Sequence, residues 1–229
     1  MTIKTDHIDV CFRITGRRVP LDHGYALYSS LSRFKAPWHE ADWLAVHPLN
    51  GLVAKDSLHL TESSRFRLRI PIDRIPDVLV LAGKRLRIDN GKHRSVILVG
   101  VPEVHPLRPS PTLYSRCVTI KISEVEGADR APNLEMFLSA VRKQLAERGL
   151  AGEVYIDATR DLNGLERSRR VLHIKDRSVV GYAVTVSGLS DHDSVKLQAI
   201  GLGGRRRMGC GIFVPVKHRT PESQEAVNV

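Results

Sequence analysis

Residues 201–215 read GLGGRRRMGCGIFVP, with five glycines and three consecutive arginines ahead of a short apolar run. Glycine reaches positive φ angles and lets a backbone approach a ligand closely, although it costs about 0.5–1 kcal/mol relative to alanine inside a regular element. Neighbouring guanidinium groups favour a partner that carries phosphates. The stretch therefore predicts a loop that presents backbone N–H groups and Arg205, Arg206 and Arg207 to a phosphate chain.

Two familiar glycine-rich motifs do not fit this loop. A dinucleotide fingerprint follows a strand and begins a helix, whereas this loop follows the helical pattern DHDSVKLQAI and precedes the strand pattern GIFVPV. A Walker loop needs Gly-Lys followed by Ser or Thr, which the stretch lacks. A mobile basic loop without a ligand is the plainer alternative, but five glycines are costly to order without a reason.

The elements before the loop form an alternating pattern of strands and helices. A strand, LYSRCVTIKI, precedes the amphipathic helix NLEMFLSAVRKQLAERG, which Gly149 ends. Further strand patterns follow, and Ser190 with Asp193 three residues later resembles a capping box that begins the helix before the loop. The second half thus reads approximately as strand, helix, two strands, helix, strand.

The first half repeats that order. The alternating run IDVCFRI predicts a strand and GYALYSSLSRF a helix, while Asn90-Gly91 between two alternating runs is typical of a hairpin. In RFRLRI the arginines at 65, 67 and 69 share one face of a strand, where they either line the path of a polyanionic partner or are simply solvated. Two such halves predict an α+β protein of two tandem ferredoxin-like, RRM-like βαββαβ domains.

The proline-rich segment VPEVHPLRPSPT, residues 101–112, predicts an extended linker between the halves. We therefore expect an N-terminal domain at 1–108, a C-terminal domain at 109–217 and a flexible tail at 218–229.

Composition favours a polyanionic partner. The 229 residues carry 35 Lys and Arg against 25 Asp and Glu, for a net charge of +10 and a pI near 9.8. No apolar run is long enough for a signal peptide or a membrane span, so a cytoplasmic protein without a membrane partner is expected. The three cysteines are odd in number and widely spaced, which favours buried thiols over a disulfide or a metal site.

The loop and several other segments together resemble one family, the CRISPR-associated repeat-processing endoribonucleases of the RAMP superfamily, and most of all the MYXAN subtype of type I systems. The segments that carry the resemblance are GLGGRRRMGCGIFVP, VPLDHGYALYSSLSRF, WLAVHPLNG, RIPDVLVLAGK, PLRPSPTLYSRCVTIK and VVGYAVTVSGLS. The resemblance implies two ferredoxin-like domains and cleavage of a CRISPR precursor transcript within its repeats. It also implies attack of a 2′-OH on the adjacent phosphate, which leaves a 2′,3′-cyclic phosphate and a 5′-hydroxyl.

The implied partners are CRISPR repeat RNA, guide RNA and other subunits of a type I interference complex. No cofactor and no metal are expected, because the sequence offers no carboxylate, Cys or His cluster with ligand spacing. The expected RNA-binding residues are the glycines and arginines of the loop and one lysine on the preceding strand. They are Gly201, Gly203, Gly204, Arg205, Arg206, Arg207, Gly209, Gly211 and Lys121.

Such cleavage needs groups that accept and donate protons, and a histidine suits either step. In the resembled family the catalytic histidine lies on the first helix or in the loop just after it. His47 in WLAVHP matches the second placement, and Pro48 disfavours a helical conformation there. His23, at the start of the first helix, is the second candidate and His39 the third. Tyr25 and Tyr28 share a face of that helix, where packing is the expected role.

Two other functions remain open. A non-catalytic guide-RNA-binding subunit of an interference complex would keep the glycine-rich loop but need no histidine. A plain RNA-recognition module is disfavoured, because the sequence contains no RNP-type aromatic strand.

Overall fold

The computed structural model describes residues 5–55, 57–91, 93–121, 133–159 and 167–216. The strands are β1 His7–Thr15, β2 Arg18–Pro20, β3 Ala45–Val46, β4 Leu52–Ala54, β5 Ser57–His59, β6 Arg65–Pro71, β7 Arg85–Asp89, β8 Arg94–Pro106, β9 Leu113–Val118, β10 Glu153–Tyr155, β11 Arg169–Ile174, β12 Arg177–Ser187 and β13 Val214–Pro215. The α-helices are α1 Gly24–Phe34, α2 Ile75–Leu79, α3 Leu134–Glu147 and α4 Asp191–Ile200. Short 3-10 helices span Ala36–His39, Ile72–Arg74 and Arg206–Met208. None of the helices within these ranges is long and apolar enough to cross a membrane.

The first half is built on a five-stranded antiparallel sheet in the order β3-β6-β1-β8-β7. Strand β1 alternates, so that Val10, Phe12 and Ile14 enter the core. Leu27 and Leu31, four residues apart on α1, pack into the same core. The helix spans the residues that the apolar periodicity predicts. A separate three-stranded sheet, β2-β5-β4, lies beside this unit.

The second half forms a sheet in the order β10-β12-β9-β13, with β11 paired to β12. Asn133 Oδ1 accepts the N–H of Glu135 at 3.0 Å and begins α3, whose Phe137 and Val141 lie in the core. Ser190 Oγ accepts the N–H of Asp193 at 3.1 Å, as the capping pattern predicts. Each half thus has the ferredoxin-like strand order, and the predicted α+β fold with two such domains is confirmed.

The linker prediction is wrong for its first six residues. Residues 101–106 belong to β8, and 102–106 pair with β1, where Ile8 lies opposite Pro106. Strand β7 pairs with β8 only as far as Leu98, so the prolines fall where β8 has an open edge, the position in a sheet that tolerates them. The predicted domain limits stay a prediction, although one sheet ends at Pro106 and the next begins at Leu113. The predicted tail lies outside the described residues.

The glycines of the loop have a structural reason that does not involve RNA. Gly201 and Gly211 both have a φ of 65°, and a side chain at either position would overlap a backbone carbonyl of the facing loop segment. The N–H of Leu202 donates to Gly211 O at 3.2 Å, which holds the two ends of the loop together. Gly204 is different, because a Cβ there would meet no atom within 4 Å. Internal packing therefore accounts for most of the glycine content.

Candidate active site

The glycine-arginine loop (residues 201–211) contacts both halves of the chain. On one side the N–H of Gly211 donates to Cys117 O at 2.7 Å and ties the loop to β9. On the other side Met208 O packs so closely against Gly24, the first residue of α1, that a Cβ there would overlap it. The loop is therefore placed between the second sheet and the first helix.

The three arginines of the loop occupy three different environments. Arg205 has a left-handed backbone with φ 62° and an exposed side chain. Arg206 points inward, where its Nη2 donates to Ala199 O at 2.6 Å near the end of α4. Burial, together with the positive charge of Arg69, lowers the pKa of Arg206 to about 10. The sequence predicts three phosphate-binding arginines, whereas Arg206 is occupied within the protein.

Arg207 reaches back across the molecule to the first helix and the 3-10 helix that follows it. Its guanidinium lies over the Tyr28 ring, 5.5 Å from the ring centre, and Nη1 donates to the backbone carbonyl of His39. A guanidinium over an aromatic face is attracted by the ring electrons. Arg207 thus brings the glycine-arginine loop to the side chains of Tyr28 and His39.

Tyr28 and His39 form a hydrogen-bonded pair. The Tyr28 hydroxyl lies 2.8 Å from His39 Nδ1 and 3.1 Å from the His39 carbonyl. Both contacts are satisfied when the hydroxyl donates to the carbonyl and accepts the Nδ1 proton. That assignment leaves Nε2 of the imidazole with its lone pair, on a side chain that is exposed. The ring can therefore accept a proton from a bound molecule.

A surface cavity of about 350 Å³ adjoins this pair. Tyr25, Ser29 and Arg33 of α1 line it together with the pair. The cavity therefore places hydroxyl groups, an imidazole and a guanidinium around one space, which is the set of groups that proton transfer beside a phosphate requires. The sequence ranks His39 behind two other histidines and assigns Tyr28 to packing, because the hydrogen bond between them depends on the turn after α1.

His23 is buried, and both of its ring nitrogens are used inside the protein. Nδ1 lies 2.9 Å from Pro20 O and must donate to it, while Nε2 accepts the N–H of Leu49 at 2.9 Å. This pattern requires the neutral ring, and burial lowers the pKa of His23. In this conformation the ring has no nitrogen free for a substrate. Through Leu49, His23 fixes the segment after His47.

His47 is also buried, and it lies in a charged cluster. Its Nε2 is 3.5 Å from Asp9 Oδ1, and the same carboxylate accepts two hydrogen bonds from Arg69, from Nε at 2.8 Å and from Nη2 at 3.0 Å. Burial lowers the pKa of His47 to about 4 despite the nearby carboxylate. For Asp9, burial is outweighed by His47 and Arg69, and its pKa lies well below the ordinary value.

Arg69 extends this cluster to the second half of the chain. Its Nη1 donates to Gln198 O at 2.9 Å and to Phe213 O at 2.6 Å. Arg69 is 1% exposed, so the predicted sheet-face arginine is neither solvated nor part of an RNA path. The alternation correctly predicts that the arginines share one face of β6. The packing of the second half of the chain against that face depends on distant residues and not on residues 65–70.

Lys121 follows β9 and is exposed. Its predicted contact with RNA stays a prediction. Within the described residues, no group of three or more His, Cys, Asp and Glu side chains is placed to hold a metal ion.

Two ferredoxin-like domains with a glycine-rich loop before the last strand are the features expected from the resemblance to the CRISPR-associated repeat-processing endoribonucleases. The model of the family described as Cas6 Crispr matches residues 8–218. A CRISPR-associated endonuclease Cas6 from Myxococcus xanthus is 33% identical over 208 residues, which cover 91% of this chain and 81% of that protein. The chain belongs to the Cas6 family.

Solved structures share the fold at low sequence identity. A Cas6-related protein from Pyrococcus furiosus has a TM-score of 0.65 at 12% identity and covers 93% of this chain and 100% of its own. A RAMP protein described as binding different RNA substrates has a TM-score of 0.65 at 13% identity, with 92% and 100% covered.

Replacing single loop arginines will separate surface binding from packing. We expect Arg205→Ala to weaken binding of single-stranded RNA and to flatten its salt dependence by about 0.7 in the log–log slope, one phosphate contact, without lowering thermal stability. Arg206→Ala should lower the free energy of unfolding by about 1–3 kcal/mol, since it removes a buried hydrogen bond. RNA titrations at several salt concentrations and thermal melts measure both. An unchanged salt dependence for Arg205→Ala would show that Arg205 does not contact the RNA.

Acid should destabilise the protein through His47. The unfolded chain binds a proton at this histidine near pH 6.5, whereas the folded pKa is about 4, so stability falls as the pH drops through that interval. The shift corresponds to about 3 kcal/mol. His47→Asn should lose less stability between pH 7 and pH 4 in urea unfolding. An identical loss in the variant contradicts the assignment, and the exposed His192→Asn is the control.

Proposed function

We propose that this protein is an endoribonuclease that cleaves CRISPR precursor transcripts within their repeats and so produces guide RNAs. The single observation that carries the proposal is the exposed imidazole of His39, held by the hydroxyl of the buried Tyr28 beside Arg207 of the glycine-arginine loop. Membership of the Cas6 family supports it, as does the 33% identical relative, which is named as an endonuclease. The net charge of +10 suits an RNA substrate.

The proposed reaction uses the RNA itself as the nucleophile. The 2′ oxygen attacks the adjacent phosphorus, the bond from phosphorus to the 5′ oxygen breaks, and the products are a 2′,3′-cyclic phosphate and a 5′-hydroxyl. His39 takes the proton of the 2′-OH at Nε2, because this nitrogen is the one not used by Tyr28. The departing 5′ oxygen takes a proton from solvent water. The other nitrogen and the Tyr28 hydroxyl hold the ring in place.

The guanidinium of Arg207 supplies positive charge beside this pair. Charge develops on the phosphate oxygens in the transition state, and a fixed cation there lowers its energy. We propose that Arg205 and Arg207 contact the RNA and that Arg206 does not, since it is bonded inside the protein. Of the other predicted binding residues, we propose that Lys121 and Gly204 contact the RNA backbone, and the exposure of both supports this.

The sequence predicts a catalytic role for His47 and His23. We propose instead that both are positioning residues. Each is buried, and His23 uses both nitrogens on the backbone of neighbouring segments. We propose that they fix the segment from His47 to Leu49, against which Gly209 of the loop packs through Pro48. They would then support the loop that carries Arg207.

We also propose that the protein has other subunits of a type I interference complex as partners and that it acts in the cytoplasm. Both points rest on family membership.

Substitution of His39 tests the active-site assignment. We expect His39→Ala to slow single-turnover cleavage of repeat RNA by about 10²–10⁴, with RNA affinity within a few-fold, because the imidazole transfers a proton and does not hold the RNA. His47→Asn, which keeps a polar side chain in the buried cluster, should retain more activity, and the exposed His192→Ala should be normal. If His39→Ala cuts at the wild-type rate while His47→Asn is inactive, the catalytic histidine is His47, as the sequence predicts. Binding of repeat RNA without cleavage by the wild type would favour a guide-RNA-binding subunit.

The mechanism predicts cleavage without a divalent metal and dependence on one hydroxyl. Wild-type protein in excess EDTA should cut end-labelled repeat RNA at its normal rate, because the 2′-OH replaces a metal-bound water as the nucleophile. An otherwise identical substrate with a single 2′-deoxy group at the cut should not react. Loss of activity in chelator, or normal cutting of the deoxy substrate, would mean that water attacks.

A further inference from the structure

Two thiols lie side by side at the point where the glycine-arginine loop meets β9. Cys117 lies on β9 and Cys210 lies near the end of the loop. The S–H of Cys210 points to Cys117 Sγ, and the two sulfur atoms are 3.8 Å apart. Neither sulfur takes part in the cleavage proposed above.

The thiol pair is reached through a cavity. A space of about 200 Å³ lies between the two halves of the chain and is lined by both cysteines, by Arg116 and Arg170, and by Met208. A small neutral oxidant such as a peroxide fits a space of this size. Both side chains are otherwise shielded from solvent, with 9% and 2% of Cys117 and Cys210 exposed.

A backbone hydrogen bond holds the two cysteine-bearing segments together. The N–H of Gly211, the residue after Cys210, donates to the carbonyl of Cys117 itself at 2.7 Å. The two segments therefore run beside each other at these residues. Two sulfurs at 3.8 Å must approach to about 2 Å to form a disulfide, a movement that side-chain rotation and a small shift of a glycine-flanked segment can supply.

The surroundings make the two sulfurs chemically different. The hydrogen bond from Cys210 lowers the pKa of Cys117, and the positive charges of Arg116, Arg170 and Arg205 lower it further. The same hydrogen bond and burial raise the pKa of Cys210. A thiolate with a neighbouring thiol is the arrangement in which a first cysteine reacts and a second resolves the product.

We propose that Cys117 and Cys210 form a redox modification site, which peroxides convert to a disulfide that fixes the glycine-arginine loop to β9. The Cys117 thiolate attacks one oxygen of the peroxide, the O–O bond breaks, and the product is a sulfenic acid with release of water or an alcohol after protonation. The Cys210 sulfur then attacks the sulfenic sulfur, the S–O bond breaks, and water leaves with the Cys210 proton. Two thiols are oxidised and one peroxide is reduced, and a thiol reductant reverses the reaction.

The disulfide should change the position of the loop arginines. The carbonyl of Arg205 accepts the N–H of Cys210 at 3.3 Å and that of Met208 at 2.8 Å, so a movement of Cys210 toward β9 shifts the turn that carries Arg205 and Arg207. We expect slower RNA cleavage in the oxidised protein, and this consequence rests on the proposed function. Formation of the disulfide does not.

The third cysteine provides a matched control. Cys11 is buried on β1, where its sulfur accepts a hydrogen bond from Arg67 Nε at 3.2 Å, and burial raises its pKa. Cys11→Ser therefore removes a thiol of similar exposure and leaves the pair intact. Cys117→Ser and Cys210→Ser each remove one member, and Cys117→Ala serves if a serine variant fails to fold.

The experiment treats the full chain carrying Cys11→Ser with hydrogen peroxide, blocks remaining thiols with iodoacetamide, and maps peptides by mass spectrometry. A cross-linked peptide joining 117 to 210, lost on treatment with dithiothreitol, is the expected result. Cys210→Ser should instead give a sulfenic acid at Cys117 that dimedone traps. Full alkylation of both cysteines after peroxide, or a sulfinic acid at Cys117 without a cross-link, overturns the proposal.

Cleavage of repeat RNA is then measured on the same samples before and after peroxide and again after dithiothreitol. A several-fold loss of rate that the reductant restores, absent in Cys210→Ser, supports the effect on the loop. An unchanged rate in cross-linked protein overturns that effect. If the reduced protein does not cleave RNA at all, the proposed function fails, whereas the mass measurement still decides the thiol pair.

Discussion

The guanidinium of Arg69 holds the two halves of this protein in register. It makes four hydrogen bonds, two to the carboxylate of Asp9 and one each to the carbonyls of Gln198 and Phe213. Gln198 lies just before the glycine-arginine loop and Phe213 just after it, so one side chain of the first sheet ties down both ends of the loop. Removing an arginine from water is costly, and the cost is offset only when nearly all of its N–H groups are paired. Arg69 meets that condition.

The same arginine sets the charge state of its neighbours. Asp9 is ionised opposite Arg69, and the positive charges of Arg69 and Arg67 oppose a proton on His47, which burial already disfavours. A second buried guanidinium, that of Arg206, lies close enough for Arg69 to lower its pKa. A neutral His47 keeps a third positive charge out of this cluster. The histidine that the sequence favours as the catalyst is therefore held in its neutral form by the contact between the halves.

The sequence predicts the local structure well and the site less well, for one physical reason. Periodicity and turn chemistry act over a few residues, so α1, the hairpin at Asn90-Gly91 and the capped helices α3 and α4 are predicted correctly. Pro48 also predicts correctly that His47 lies outside the helices. The direction in which His47 points depends on Asp9, and the choice among histidines depends on burial. Both are set by packing between distant segments.

In the glycine-arginine loop, three consecutive arginines lie in three different environments. Arg205 takes a left-handed backbone and the next residues turn through a 3-10 helix, so successive side chains leave the chain in different directions. One stays in solvent, one enters the protein toward α4, and one crosses to Tyr28 and His39. The glycines on either side allow this tight path, because a side chain at Gly201 or Gly211 would overlap the facing backbone. Charge density in the sequence thus overstates the charge at the surface, and only the arginines that the turn leaves outside the protein are accessible to a bound anion.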